Sequence, residues 1–152
     1  MKHNQQADAV WAQICQAAGL DPQQRLAARR AVLDSAQALE CTVYRPDDND
    51  PDAEEEDLGD ARVLFDGPFQ APAEWDAATR AGFFGDDDPA LFLCARIECE
   101  AAPAARGYFT VEEGDYVAVL ADGAVQMYYL HDCREDADGC HCVLIRDDEP
   151  LF

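Results

Sequence analysis

The sequence predicts an α+β fold in which an N-terminal helical hairpin packs on a C-terminal antiparallel β-meander. Apolar residues recur at helical spacing in the first part of the chain, whereas short apolar runs between turn residues follow later. A chain of 152 residues with 49% hydrophobic content is sufficient for one packed domain. We therefore expect a single domain over 1–152, made of a helical hairpin (1–45), an acidic flexible loop (46–60) and a mostly antiparallel sheet with one short helix (61–152).

Two amphipathic helices are expected in the first 45 residues. Gly19 is placed to end the first helix in the left-handed conformation, and Asp21 supplies an N-cap for the second, ahead of a proline. The apolar stripe of the second helix should extend to Val43, with Arg25 and Arg29 lying off it. Because the link between the helices is short, we expect them to be antiparallel.

The segment 46–60 contains nine acids and no base. Like-charge repulsion and two prolines predict that it forms a mobile loop. The Asp-x-Asp-x-Asp pattern that starts at Asp48 resembles a calcium-binding loop. However, Ala53 stands where such a loop needs glycine, and Gly59 stands where it needs a bidentate glutamate. We therefore expect no calcium site of the EF-hand type.

The period of the apolar pattern changes after this loop to that of strands. The expected elements are a strand at Arg62–Phe65, a helix at Ala73–Ala81 closed by Gly82, and strands at Ala90–Cys99, Gly107–Val111, Asp115–Ala121, Ala124–His131 and Cys142–Arg146.

A two-residue turn of type I′ is predicted at Asp122-Gly123, between two apolar runs. Such a turn fixes the register of the hairpin. It pairs Leu120 with Val125, Ala118 with Met127, and Tyr116 with Tyr129. All six side chains are apolar or aromatic, so we expect their face to be the core. The opposite face is expected to be partly exposed and carries Val117, Val119, Gln126 and Tyr128.

The charge is spread unevenly along the chain. Residues 1–45 carry five bases and four acids, whereas 46–152 carry six bases and 28 acids, and the net charge is −21. A negative field of this size repels nucleic acid and anionic lipid and attracts basic proteins. We therefore expect a basic protein partner, no direct contact with nucleic acid and no membrane association. Arg25, Arg29 and Arg30 are expected to pair with the acidic half of the same chain.

Two acidic clusters in predicted loops are the candidate partner-binding residues. They are Asp86, Asp87 and Asp88 before a proline, and Glu112, Glu113 and Asp115 before a predicted strand. Loops lie on the surface and often carry binding residues. We favour the second cluster because the adjoining strands can hold it rigidly.

A candidate metal site is formed by His131, Cys133, Cys140 and Cys142. If residues 134–139 turn the chain, Cys133 lies opposite Cys140 and His131 lies opposite Cys142, so that all four side chains share one face. Three thiolates and an imidazole suit zinc, although Cys-x-Cys pairs are uncommon in structural zinc sites. The alternatives are side chains that bind nothing, or a Cys133–Cys140 disulfide formed by oxidation.

The favoured function is an acidic binding protein that inhibits a basic partner. Its most concrete form is an immunity-type or nucleic-acid-mimicking inhibitor of a nuclease-like toxin, because carboxylates can stand where phosphates bind. The usual nucleotide-binding and hydrolase motifs are absent from the sequence, so we expect no enzymatic activity. The N-terminus has no apolar stretch typical of a secretory signal, which predicts a cytoplasmic protein.

Two other functions stay open. One is a zinc-stabilised adaptor that uses the cluster of His131, Cys133, Cys140 and Cys142, and the other is an enzyme with an unfamiliar site. The favoured function requires no cofactor, and zinc is the cofactor that the cysteines would suit. Fold alone does not choose among these functions.

Overall fold

A computed structural model describes residues 5–47, 49–50 and 52–147. The helices and strands follow the order α1 (Gln5–Ala17), α2 (Pro22–Leu33), β1 (Leu39–Arg45), β2 (Glu56–Pro68), α3 (Ala77–Phe84), β3 (Phe92–Cys99), β4 (Tyr116–Ala121), β5 (Ala124–Asp136) and β6 (Gly139–Arg146). A 3₁₀ turn at Pro89–Leu91 leads into β3. The strands of this part of the chain close into an antiparallel barrel in the order β1-β2-β3-β6-β5-β4.

The closed barrel replaces the open meander that the sequence predicts. The difference arises at β1, which pairs with β2 on one side and with β4 on the other and so joins the two ends of the sheet. Closure removes the edge strands, whose unpaired N–H and C=O groups an open sheet would expose. The predicted packing of helices on an open meander is therefore wrong.

The segment expected to end the second helix forms β1 instead. The helix starts as predicted, with the Asp21 side chain accepting a hydrogen bond from the Gln23 N–H, but it ends at Leu33. Beyond it, Leu39, Cys41 and Val43 alternate with polar or exposed residues, and Cys41 and Val43 are buried in the barrel. Leu39 and Val43 are four residues apart, a spacing that also fits a helix, so this segment satisfied both patterns.

The acidic loop predicted at 46–60 is shorter than expected. Residues 56–60 begin β2 and pair with β1, so the strand predicted at Arg62–Phe65 is the middle of a longer one. The pairing register shifts between Val43 and Tyr44, opposite Gly59, whose φ is +127°. A bulge beside a glycine lets the acidic strand bend around the barrel. Asp48 and Pro51 of the predicted loop lie outside the described residues.

The Asp122-Gly123 hairpin has the predicted register, but its two faces are reversed. Both turn residues have positive φ, and the three predicted pairs are observed. The barrel interior, however, receives Val117, Val119 and Tyr128, whereas Leu120 is 46% exposed and Val125 is 57% exposed. Both faces are largely apolar, so residue type did not distinguish the face that the closed sheet encloses.

The connection between β2 and β3 also differs in its bounds from the prediction. Helix α3 begins at Ala77, capped by the Asp76 carboxylate, and ends at Phe84 before Gly85. It covers an aromatic cluster outside the barrel, made of Phe69, Trp75, Phe83, Phe84 and Phe92. The strand predicted at Gly107–Val111 is an irregular segment. Three other strands start at a different residue from the one predicted: β3 at Phe92 and not Ala90, β4 at Tyr116 and not Asp115, and β6 at Gly139 and not Cys142.

Helix α2 packs on the outside of the barrel against β2, β3 and β6. The Trp11 indole N–H donates a 2.9 Å hydrogen bond to the Pro22 carbonyl and so joins α1 to α2. The Arg62 guanidinium of β2 donates to the carbonyls of Leu33 and Ala38, at the end of α2 and just before β1. The bond to Leu33 satisfies a carbonyl that the end of α2 leaves unpaired. Among the described residues, no helix has the length and apolar character that crossing a membrane requires.

Candidate functional site

A buried ion-pair network joins α2 to the barrel. Arg25 and Arg29 are buried, at 2% and 6% exposure, instead of lying off the packed face of the helix. The Arg25 guanidinium lies 2.7 Å from the carboxylate of Glu98 on β3 and donates a 2.9 Å hydrogen bond to Glu135 on β5. Arg29 donates to the Ala101 carbonyl and lies 3.8 Å from Glu98. The predicted pairing with the acidic half is confirmed for Arg25 and Arg29, whereas Arg30 is exposed.

The network changes the acid–base properties of its members. Burial raises the pKa of the Glu98 carboxyl, and the positive charge of Arg25 offsets only part of that effect. Burial acts to lower the pKa of Arg25, but the charges of Glu98 and Glu135 outweigh it and raise that pKa. The guanidinium therefore stays charged inside the protein.

Three thiols of the predicted metal site meet inside the barrel. The Sγ atom of Cys140 lies 3.5 Å from that of Cys133 and 3.8 Å from that of Cys142, and the Cys133 and Cys142 sulfurs are 4.0 Å apart. Four sulfurs bound tetrahedrally at about 2.3 Å from a zinc ion would be separated by about 3.8 Å. The three thiols could therefore hold a metal ion. No disulfide joins them, since all seven cysteines are free.

His131 does not belong to this cluster. The chain turns at residues 137 and 138 alone, so Cys133 lies opposite Cys142. The residue opposite Cys140 is Glu135 and not, as the sequence predicts, Cys133. The pairing register also shifts between Leu130 and Asp132, which makes His131 the extra residue of a β-bulge. Its imidazole leaves the face of the cysteines and lies 2.6 Å from the Phe83 carbonyl, among the aromatic rings under α3.

The thiols of the cluster are not equivalent. Hydrogen bonds from Cys140 and Cys142 hold the pKa of the Cys133 thiol well below its usual range, and burial opposes that effect. The same hydrogen bonds, together with burial, raise the pKa of Cys140 and of Cys142. Cys133 is therefore the member of the cluster that ionises first. A thiolate is the form of cysteine that binds metals.

A cavity of about 200 Å³ adjoins both the thiol cluster and the ion-pair network. Cys133 and Cys140 line this cavity, and Arg25, Glu98 and Glu135 contribute charged groups to it. The segment between β3 and β4 supplies Tyr108 and its neighbours up to Val111. Burial raises the pKa of the Tyr108 hydroxyl to about 12, so this side chain is neutral at pH 7. The cavity therefore brings soft ligands, a cation and carboxylates within one small space.

A second concave region, the acidic groove, lies on the outside of the barrel across β1, β2 and β4. It has a volume of about 370 Å³ and is lined by Glu40, Asp60 and Glu100 beside the apolar Leu120 and Val125. All three carboxylate residues are exposed. Their separation along the sequence hid the groove from sequence analysis, because β1 and β4 become neighbours only when the barrel closes.

Five of the six residues predicted to contact a partner lie on the surface, and the sixth, Asp115, is buried. Asp86, Asp87, Asp88, Glu112 and Glu113 are exposed as expected. Asp88 also caps the 3₁₀ turn by accepting a hydrogen bond from the Ala90 N–H.

Asp115 is not available to a partner, because it is only 1% exposed. Its carboxylate accepts two hydrogen bonds from Arg45 and a third from the Glu112 N–H. These bonds attach the segment before β4 to the end of β1. Asp115 is therefore a structural residue, and its place in the predicted partner-binding cluster is corrected.

Comparisons of the chain with protein-family models, curated proteins and solved structures give no match. The geometry of the thiol cluster, its cavity and the acidic groove therefore supplies the functional argument.

Proposed function

We propose that this is a binding protein that docks a basic protein partner on the outer face of β1, β2, β4 and β5. The observation that carries the proposal is the acidic groove, which lies beside exposed apolar side chains on a protein of net charge −21. Exposed apolar patches with a polar rim are typical of interaction sites. Charge complementarity selects a partner whose contact surface is basic.

The register of the strands arranges this face in rows. Tyr44 of β1 pairs with Asp57 on one side and with Tyr116 on the other, and Tyr116 pairs with Tyr129. The next row places Asp60 beside Thr42, followed by Ala118 and then by Met127. These two rows therefore start with an acid on β2 and end with an apolar or aromatic side chain on β5.

This arrangement fits a partner that presents arginine or lysine side chains beside an apolar contact. A guanidinium could enter the groove between Glu40, Asp60 and Glu100, while the partner's apolar residues cover Leu120 and Val125. Proteins that bind nucleic acid, nucleases included, carry basic surfaces of this kind. The most concrete form of the proposal is an inhibitor whose carboxylates occupy the phosphate-binding positions of a nuclease-like toxin.

The proposal predicts that neutralising the groove slows association with the partner. Wild-type protein is immobilised, basic proteins of the source cell are captured at low salt, and the captured partner is purified for surface plasmon resonance. We expect Glu40→Gln/Glu100→Gln to lower the association rate about tenfold at low ionic strength, because charges steer encounter when salt does not screen them. The effect should shrink as salt is added.

Asp86→Asn/Asp87→Asn is the matched control, since it removes the same charge from another exposed cluster. We expect this pair to change the association rate by less than about twofold, because it lies outside the acidic groove. An equal effect of the two pairs would show that net charge acts without a defined contact site. A larger effect of the control pair would place the contact at the cluster of Asp86, Asp87 and Asp88, the less favoured of the two clusters predicted from the sequence, and would overturn the proposal.

The sulfur spacing favours a second candidate function, that of a zinc-stabilised binding protein. Its ligands would be Cys133, Cys140 and Cys142, without His131, because the three Sγ–Sγ distances of 3.5, 3.8 and 4.0 Å are close to the edge of a zinc–sulfur tetrahedron. The ligands come from β5 and β6, so the ion would join two neighbouring strands of the barrel. Zinc binding and partner docking use separate regions and are compatible.

We expect the reduced protein to bind one equivalent of zinc and to melt about 5–10 °C higher when zinc is present at roughly 100 times its Kd. Elemental analysis after gel filtration and a thermal melt measure the two effects. Cys140→Ser should abolish both. Cys94→Ser is the control, because Cys94 of β3 lies outside the cluster and its loss should leave the zinc content unchanged. Zinc bound equally by both variants would contradict the assignment of the ligands.

A further inference from the structure

We propose that hydrogen peroxide oxidises Cys133, that Cys142 then joins it in a disulfide, and that the thiol cluster thereby releases its metal ion. The inference rests on the zinc site proposed above and adds its regulation. Only the thiolate form of cysteine binds a metal, so a cluster that binds zinc when reduced loses it when two of its members are oxidised.

The first support is the access to Cys133 from the cavity of about 200 Å³ beside the cluster. Cys133 lines this cavity and is partly exposed, whereas Cys140 and Cys142 are buried. Glu135 also lines it and has a side chain that is 35% exposed, so the cavity opens to solvent. Hydrogen peroxide is only slightly larger than water, which occupies about 30 Å³ in the liquid, and therefore fits this space. Because it carries no charge, the carboxylates that line the cavity do not repel it.

The second support is the pairing of Cys133 with Cys142 across β5 and β6. Residues directly opposite each other in an antiparallel pair have Cα atoms about 4.5–5.5 Å apart, and a disulfide spans about 4.4–6.8 Å. The sulfur of Cys142 lies 4.0 Å from that of Cys133. Rotation of the two side chains can therefore join them without a movement of the strands.

Cys140 is the competing partner, since its sulfur lies 3.5 Å from that of Cys133. It is, however, a diagonal neighbour of Cys133, because the residue opposite it is Glu135. Diagonal neighbours on paired strands have Cα atoms about 7–8 Å apart, which is beyond the usual span of a disulfide. The register therefore favours Cys142 over the Cys133–Cys140 disulfide that the sequence suggests, and it leaves Cys140 as a free thiol.

The reaction has two steps that together consume one peroxide molecule. The Cys133 sulfur attacks one oxygen of the peroxide, the O–O bond breaks, and Cys133 becomes a sulfenic acid as water leaves. The Cys142 sulfur then attacks the Cys133 sulfur, the S–O bond breaks, and a second water leaves. The two thiols lose two electrons and two protons, all of which the peroxide takes up. When zinc has displaced those protons, solvent supplies them.

The disulfide removes the metal site because it uses two of the ligands. Among the described residues the cluster has three members, so Cys140 is then the one thiol left to the ion. A single thiol is too few for a zinc ion, which proteins hold with three or four ligands. Reduction of the disulfide restores all three thiols and with them the site.

Peptide mapping of zinc-loaded protein treated with hydrogen peroxide tests the inference. Trypsin cuts after Arg134 and so separates Cys133 from Cys140 and Cys142. We expect peroxide to link the two tryptic peptides and to release one zinc ion per link, measured with a chromogenic chelator. A dithiol reductant should reverse the link. Cys94 is the internal control, because it is also partly exposed but lies outside the cluster. Its alkylation by iodoacetamide should be lost at least about tenfold more slowly than that of Cys133.

The outcomes separate the oxidation site from the zinc site. Zinc bound by the reduced protein without any linked peptides after peroxide would overturn the inference and leave the zinc site intact. Equal rates of oxidation at Cys94 and Cys133 would also overturn it, because exposure alone would then explain the reaction. Linked peptides from a protein that binds no zinc would overturn the zinc site and its regulation, but not the oxidation of Cys133.

Cys142→Ser and Cys140→Ser form a matched pair for the identity of the second thiol. Each removes one thiol of β6, and both are oxidised without metal, so that the result does not depend on the zinc site. We expect Cys140→Ser to form the linked peptides within about twofold of the wild-type yield, and Cys142→Ser to form at least about tenfold less. In Cys142→Ser, dimedone should trap Cys133 as its sulfenic acid. Linked peptides from Cys142→Ser at the wild-type yield would overturn the pairing with Cys142. If a variant fails to fold, fragmentation of the linked wild-type peptides between Cys140 and Cys142 still identifies the thiol.

Discussion

Leu130→Ala is expected to lower the free energy of unfolding by about 3 kcal/mol, and Leu120→Ala is expected to lower it by less than about 1 kcal/mol. Leu130 is fully buried in the barrel interior, whereas Leu120 is 46% exposed on the outer face. Removing a buried leucine side chain loses its transfer free energy and leaves a cavity that the neighbouring strands fill only in part. Urea denaturation followed by circular dichroism measures both values.

The comparison tests which face of the hairpin is the core, since the substitution is the same at both sites. A larger loss for Leu120→Ala would place the outer face of β4 and β5 in the core, as the sequence pattern predicts. The denaturant slope should stay unchanged in both variants, because it follows the surface exposed on unfolding. A changed slope would indicate that the barrel itself had altered.

Local signals in the sequence were sufficient for one hairpin turn and one helix cap. The Asp122-Gly123 turn and the Asp21 N-cap depend on residues within a few positions of one another, and the structure contains both. Which face of the hairpin is enclosed depends instead on the pairing of β1 with β4, two strands about 75 residues apart in the chain. No local pattern contains that information.

The same distinction explains the errors at β1 and β2. Leu39 and Val43 fit the spacing of a helix and that of a strand, and only pairing with β2 and β4 decides between them. Acidic residues 56–60 lack apolar character, yet they form a strand because β1 supplies the partner for their main chain. Strand propensity is more dependent on context than helix propensity is.

The candidate site was predicted in part for a similar reason. Cysteines close in sequence on one hairpin could be brought together by strand alternation alone, and Cys133, Cys140 and Cys142 do meet. The β-bulge at His131 turns its side chain away from the three thiols, and the sequence contains no clear signal for a bulge at this position. The contact of Arg25 with Glu98 joins residues 73 positions apart and follows only from the packing of α2 on the barrel.

Glu98→Gln is expected to destabilise the fold by about 3–5 kcal/mol at pH 7, because it leaves the guanidiniums of Arg25 and Arg29 buried beside a neutral group. Glu98 is 4% exposed and lies within 4 Å of both arginines, whereas Glu135 pairs with Arg25 and its side chain is 35% exposed. Glutamine keeps the size of the side chain, so the loss reports charge and hydrogen bonding rather than a cavity. Chemical denaturation at constant salt measures the difference from the wild-type protein.

Asp66→Asn is the matched control for the loss of one carboxylate. Asp66 pairs with Arg96 on the barrel surface, where both side chains are partly exposed and the N–O distance is 3.0 Å. Exposed ion pairs contribute about 1 kcal/mol or less, because water and salt screen them. We expect the loss in this variant to stay within that limit and to shrink further in 1 M salt, while the loss in Glu98→Gln persists. Similar losses in the two variants would mean that water reaches Arg25 and Arg29 and screens their charges, so that the network would contribute no more than an ion pair on the surface does.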